Sequence, residues 1–335
     1  MTDQNHWQPF LLTRGATIRD GIVQDFGETR ADYPGLAALD TLYDLGDLGV
    51  LAVNGSRSAA FLQGQTTADF QSSPPTEPIR GACCNPQGRV FTLFTALQTD
   101  TGYLLIMPRA LVEPSRRTLA PYAALSRVEL TDLSADHRLL GLAGPGAGAL
   151  VSTLEERDGG DDTKSWRHHQ QRYLLLVPAA VAEAHWEMLQ EHARPVGLPL
   201  WHLADIRAGI ASLCPATSAQ FLPQMLGLDR RGAVSFTKGC YTGQEVVARS
   251  QHLGKLKRQL VRLAIETPDA PAAGTQMLAA DSGQPAGIVL MASSADDVRC
   301  EALAVVRDEA VSCTVLDFGD GPRPVTFLPL PDTAE

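Results

Sequence analysis

Two stretches of the chain read almost alike: Tyr103-Leu104-Leu105-Ile106-Met107-Pro108 and Tyr173-Leu174-Leu175-Leu176-Val177-Pro178. Each is an apolar run of strand length, closed by a proline and followed by a helix-like segment. Upstream of each, a strand runs through a glycine turn into a helix, from Val53 to Leu62 in the first instance and from Leu142 to Val151 in the second. Two such β-α-β-β-α units predict a duplicated α+β core of ferredoxin-like type. The second glycine turn, Gly144-Pro145-Gly146-Ala147-Gly148-Ala149, resembles a dinucleotide fingerprint. That fingerprint also requires an acid at the end of the following strand, whereas Asp161 and Asp162 fall in a Gly/Asp loop, so a tight strand-to-helix turn is the better reading.

From Gln259 onward the texture changes to short strands separated by Gly, Pro and Asp. Gln259–Ile265, Gln276–Ala279, Ala286–Ala292, Arg299–Val306, Cys313–Phe318 and Pro324–Leu328 predict a small antiparallel barrel. At the other end, residues 1–35 show no sustained period and read as a leading arm with little structure of its own. The expected organisation is an N-terminal arm (1–35), a first α+β domain (36–135), a second α+β domain (136–255) and a C-terminal β-barrel domain (256–335). Within the first domain, Gly49 to Val53 reads as a strand, Ser56 as a helix cap, and Gln63-Gly64-Gln65-Thr66-Thr67 as a polar helix end fit to line a cleft. After a Pro/Ser-rich linker at 71–78, Arg80 to Phe91 reads as a hairpin turning at Asn85-Pro86-Gln87-Gly88.

Length and composition bound the function. A chain of 335 residues with 44% hydrophobic and 20% charged residues is an ordinary globular one with room for two or three domains. Its net charge of −10 disfavours direct nucleic-acid binding. No apolar run approaches bilayer-spanning length, and Met1 to His6 lacks the basic-then-apolar pattern of a signal peptide, so a cytoplasmic protein without membrane contact is expected. The six cysteines form neither a C-x-x-C pair nor a zinc pattern, so reduced thiols and no metal site are expected. The neighbours Cys83 and Cys84 point to opposite faces of a strand.

The chemistry-bearing stretch is Lys238-Gly239-Cys240-Tyr241-Thr242-Gly243-Gln244-Glu245-Val246-Val247-Ala248-Arg249. Thr242 and Glu245 have the spacing of a capping box, and Arg249 follows Glu245 at i,i+4. Cys240 then precedes a helix start and neighbours Lys238, conditions that favour a thiolate; a small buried cysteine in a glycine turn is the alternative. No acid lies between Glu245 and Glu266, whereas Arg249, Lys255, Lys257, Arg258 and Arg262 do. This is either a solvated basic face or a field suited to an anionic ligand. Trp201, in Trp201-His202-Leu203-Ala204-Asp205-Ile206-Arg207, either packs in the core or offers a flat face to a planar heterocycle.

Lys238 to Arg249 resembles the signature of the YgfZ family of folate-binding proteins, which are similar to the aminomethyltransferase (T-protein) of the glycine cleavage system. Phe61-Leu62-Gln63-Gly64-Gln65, Asn85-Pro86-Gln87-Gly88, Trp201 through Gly209 and Phe221-Leu222-Pro223-Gln224 extend the likeness from about Leu48 to the barrel. The resemblance implies a T-protein-like three-domain architecture whose central cavity holds tetrahydrofolate or another reduced folate. It also implies support of iron–sulfur enzymes, including tRNA-modifying ones. On it, Cys240 is the functional thiol and Lys238 its basic neighbour, with Trp201, Tyr241, Gln244, Glu245 and Arg249 toward the folate. The resemblance also implies a second folate-contacting tryptophan, at the place where this chain has Leu48. Thr92 falls where the T-protein carries a catalytic aspartate, and a threonine cannot take up a proton near neutral pH. Aminomethyl transfer by the T-protein route is therefore not expected; a one-carbon transferase using another group, such as Glu245, and a folate-independent structural partner of iron–sulfur enzymes are the alternatives.

Overall fold

A computed structural model describes residues 6–72, 74, 77–157, 162–253 and 256–331; Met1 to Asn5, Asp161, Lys255 and part of the 71–78 linker lie outside them. The tyrosine-led strands occupy matching places in two five-stranded sheets. In the first, the strands follow the order Ile79–Cys84, Val90–Thr99, Gly102–Pro108, Leu48–Asn54, Glu129–Asp132. In the second, the order is Lys164–His169, Arg172–Pro178, His137–Ala143, Thr41–Asp44, Arg194–Pro195. Set aside Ile79–Cys84 and Thr41–Asp44, and the two orders are the same ferredoxin-like arrangement. The strand Thr41–Asp44 precedes the first unit in sequence, yet it is inserted into the sheet of the second.

The sheets face each other, with helices on their outer sides. Along the strands, Val50, Ala52, Leu104 and Ile106 of the first sheet share a core with Leu139, Leu174 and Leu176 of the second. The alternate residues Leu51, Val53, Leu105 and Met107 pack outward in a core that includes Phe61 and Leu62 of helix Ser58–Gln65 and Val112 and Leu119 of helix Arg109–Ser126. Leu140, Leu142, Leu175 and Val177 likewise pack outward, with helices Ala147–Arg157 and Ala182–Gln190. Burial on both faces is why these strands read as unbroken apolar runs rather than as alternation.

The leading segment does not match its expectation. It forms helix Trp7–Thr13 and a hairpin of Thr17–Arg19 with Ile22–Asp25. Trp7 and Leu11 are buried, Trp7 meets Trp186 edge-on at 5.7 Å, and the Trp7 indole donates to Asp44 Oδ1 at 3.0 Å. A helix of 7 residues has too few turns to show a period in sequence. The C-terminal strands close into the expected six-stranded barrel, because Arg258–Ile265 pairs with both Cys300–Arg307 and Pro322–Leu328. Helix Leu198–Ala208 joins barrel to core: Ser293 Oγ donates to the Pro199 carbonyl at 2.7 Å, and Arg207 pairs with Glu301 at 2.9 Å. No helix among the described residues is long and apolar enough to cross a membrane.

Candidate functional site

Between the inner faces of the two sheets lies a cavity of about 170 Å³ that opens to solvent. Leu93 and Ile106 of the first sheet, Trp166 and Leu174 of the second, and Met291 of the barrel give it apolar walls. One side is helix Leu198–Ala208. The Gly197 amide before it donates to Glu28 at 2.7 Å, Pro199 occupies its first turn, and Gly209 ends it with φ 67°. Trp201 on this helix is buried at the cavity edge. It can stand there because position 141 is glycine: a Cβ on Gly141 would lie 2.8 Å from the indole ring. His168 stacks on Trp201 with ring centroids 5.4 Å apart, Tyr43 meets it edge-on at 5.3 Å, and the Arg172 guanidinium lies 4.9 Å from its ring centre.

The same helix orders the polar groups. His202, Asp205 and Ala208 follow at i,i+3, so with a rise of about 1.5 Å per residue they span roughly 9 Å. At the first station, His202 Nε2 lies 2.8 Å from Asp47 Oδ2. At the second, Asp205 Oδ1 accepts from His168 Nε2 at 2.9 Å and from Arg172 Nη1 at 2.7 Å. At the third, Arg231 donates to the Ala208 carbonyl at 2.6 Å. Arg80 donates to the His168 carbonyl, so both cavity arginines have backbone oxygens as their hydrogen-bond partners here.

These contacts set protonation. Burial would raise the Asp205 carboxyl, but Arg172 and His168 outweigh it and hold the group well below the carboxylate range. For His168, burial is the largest influence and lowers its pKa; Asp205 opposes, while Arg172 and Arg80 reinforce the fall. For His202, burial also lowers, but the charge and hydrogen bond of Asp47, with the charge of Asp205, carry the pKa above its ordinary value. Asp47 Oδ1 is buried without a hydrogen-bond partner among the described residues, which makes it a group that a ligand in the cavity could satisfy; Arg172 Nη2 is also without one, but Arg172 does not line this cavity.

The Lys238 stretch builds a second feature, a junction of loops. Lys238 is buried, and its ammonium donates to the carbonyls of Thr66, at 2.8 Å, and Ala68, with the Tyr241 ring 5.2 Å away. The Thr242 amide donates to the Gly64 carbonyl at 3.3 Å, and Thr67 Oγ1 donates to the Ala233 carbonyl at 2.7 Å. Gly243, at φ 84°, sits against the Asn85–Gly88 turn so closely that a Cβ would fall 2.4 Å from the Asn85 oxygen. Gln224 Nε2 donates to the Val247 carbonyl at 2.7 Å. Four segments that are distant in sequence thus meet at this loop. The polar helix end Gln63 to Thr67 serves this junction, not the cavity lining.

Local details differ from the sequence reading. The helix runs Gln244–Leu253, and the side chains of Thr242 and Glu245 are engaged elsewhere than in the expected capping box. The Thr242 hydroxyl turns to Gln65 Oε1 (3.3 Å), Glu245 pairs with Arg249 on the surface at 2.8 Å, and Gln244 Oε1 accepts from the Tyr241 amide at 3.3 Å. Ser56 caps no helix, since Ser58–Gln65 begins beyond Arg57 without a side-chain cap.

Of the residues expected at the site, Trp201 alone lines the cavity. Cys240 is exposed on the junction loop, Lys238 and Tyr241 are buried beneath it, and Gln244, Glu245 and Arg249 lie on the helix that follows. Of the basic interval, Arg262 pairs with Glu301 at 2.7 Å and Lys257 is exposed; none of its described members lines the cavity. Thr92 is buried with its hydroxyl toward the Leu93 carbonyl (3.3 Å), while Leu93 and Thr95 line the cavity, so no acid enters from this strand. The acids that do line it are Asp47 and Asp205. His202 and Asp205 adjoin Trp201 in the sequence, where nothing marks them for a role; His168 joins Asp205 only through the fold. Among the described residues no group of three or more His, Cys, Asp or Glu could hold a metal ion.

No family model matches the chain. Among solved structures, the glycine cleavage system aminomethyltransferase T from Bartonella henselae is similar over 97% of both chains, with a TM-score of 0.80 and 16% identity. That likeness shows the fold, a T-protein-like duplicated core with a barrel. A chain of the heterotetrameric sarcosine oxidase from Corynebacterium sp. U-96 matches 49% of this chain and 93% of its own at 19% identity, but the TM-score of 0.34 carries no weight.

Proposed function

We propose that the chain binds a reduced folate, tetrahydrofolate or a one-carbon form of it, in the central cavity. We further propose that it supports the assembly, repair or activity of iron–sulfur enzymes, tRNA-modifying ones among them, with Cys240 as the working thiol. The observation that carries the folate half is the polarity of the cavity. Along one helix it runs from a carboxylate with a free acceptor, Asp47, past the indole of Trp201, to the guanidinium groups of Arg80 and Arg231. An aminopyrimidine edge offers N–H donors to a carboxylate, and a glutamate tail offers carboxylates to arginine. The T-protein-like fold supports the same reading. The glutamate tail in this reading runs toward Arg80 and Arg231, not toward the basic interval Arg249–Arg262.

The iron–sulfur half and the role of Cys240 rest on the resemblance of the Lys238–Arg249 stretch to the YgfZ signature. Lys238 does not serve the thiol as a neighbouring charge in this reading, because its ammonium is engaged by two carbonyls. It fixes the loop that presents Cys240. A transferase reading through Glu245 has less support, since that carboxylate is exposed and paired with Arg249.

Titration calorimetry with tetrahydrofolate tests the first half: heat is expected from the wild type and a loss of affinity in Trp201→Leu, and no heat with any reduced folate sinks it. Complementation of a deletion strain tests the second, where Cys240→Ser is expected to bind folate yet fail to restore iron–sulfur enzyme activity. Full restoration by that variant removes the thiol from the account.

A further inference from the structure

Two imidazoles line the cavity next to Trp201, and each has its Nε2 committed to an aspartate. Their charge surroundings are opposite. His168 lies among Arg80 and Arg172, with Asp205 as the acid beside it; His202 lies in the field of two acids, Asp47 and Asp205. One environment favours the neutral ring and the other the imidazolium, the arrangement that separates a base from an acid in one site. Neither cysteine nor lysine lines the cavity, whose side-chain hydroxyls are those of Thr95 and Ser212; water is the nucleophile considered for this pair.

We propose that the cavity is a proton-transfer site in which His168 is the general base and His202 the general acid for hydrolytic opening of a cyclic amidinium, the methenyl-bridged state of a reduced folate, to a formamide. The proposal rests on the folate reading above and gives it a reaction. Water adds to the bridging carbon as His168 takes one of its protons, leaving a neutral carbinolamine. His202 then protonates one bridge nitrogen, and the C–N bond to that nitrogen breaks with its electron pair going to nitrogen. The hydroxyl proton returns to His202 as the C=O bond forms, and His168 releases its proton to solvent. The amidinium and water thus yield a formamide, a secondary amine and one proton, with no oxidant or reductant required. Asp205 and Asp47 act as positioning residues that fix the two rings through Nε2.

The experiment follows loss of the methenyl chromophore with the full chain at several pH values, and measures binding of the same compound separately by calorimetry. Acceleration over buffer is expected, falling on the order of 10²-fold in His168→Gln and in His202→Gln, with binding retained. Asp47→Asn is expected to move the alkaline fall in rate to lower pH, because it removes the charge that holds the proton on His202. Binding without acceleration overturns the proposal and leaves the folate reading standing; absence of binding of the methenyl compound also overturns it, and the folate reading falls with it only if tetrahydrofolate gives no heat either. Acceleration that survives in both histidine variants overturns it as well. If a histidine variant does not fold, the Asp47→Asn profile decides, and an unmoved profile counts against the assignment.

Discussion

The ammonium nitrogen of Lys238 lies 2.8 Å from the carbonyl oxygen of Thr66, and Ala68 supplies a second carbonyl to the same group. Burial lowers its pKa to about 8 from the ordinary 10.5, with Asp69 and Cys83 opposing. Between those values the unfolded chain binds the extra proton, so stability gains a contribution as pH rises through that window. Urea denaturation between pH 8 and 10.5 is expected to show this rise in the wild type and not in Lys238→Met. At neutral pH the variant is expected to lose about 2 kcal/mol, from the two carbonyls left without a partner.

Asp44 gives a dependence of the opposite sign. Burial raises its pKa to about 6, against the hydrogen bond from Trp7. The folded state therefore binds the proton first, and this group adds stability as pH falls from about 6 toward 3.8. Asp44→Asn keeps an acceptor for the indole and cannot ionise. Its stability relative to wild type is expected to be highest above pH 6 and to shrink below it, which thermal melts across that range would read.

Gly141→Ala places a methyl group 2.8 Å from the ring of Trp201. The indole must shift or the strand must yield, at a cost of about 1–3 kcal/mol. A matching loss of folate affinity is expected, since the displaced ring is the flat wall of the cavity. Calorimetry on the folded variant checks it.

Arg80→Met and Arg231→Met are expected to weaken a folate carrying its glutamate tail by about tenfold each, a loss of roughly 1.4 kcal/mol. Neither is expected to change the affinity of a reduced pterin without the tail. Equal losses for both compounds would place the anionic end elsewhere.

How much of this was legible depended on range. The tyrosine-led strands and the six barrel strands announced themselves because strand length, proline and turn residues are local signals. Trp201 stood out by residue type. The pairing of His168 with Asp205 did not, because it needs a strand of one sheet and a helix to be brought side by side across 37 positions. In sequence the Lys238 stretch reads as a helix start that activates a sulfur, since sequence shows neighbours along the chain. Its actual partners, Thr66, Ala68 and the Asn85–Gly88 turn, belong to the first unit.

The borrowed strand Thr41–Asp44 has a consequence for how the molecule is made. It leaves the ribosome before the first ferredoxin-like unit, yet its antiparallel partner His137–Ala143 and parallel partner Arg194–Pro195 come long afterwards. The first unit can finish its own sheet while this edge waits uncovered, and the second cannot finish without reaching back for it. Cutting the gene between the two repeats would therefore yield one fragment with a dangling ribbon and another with a slot, each needing the other to become whole.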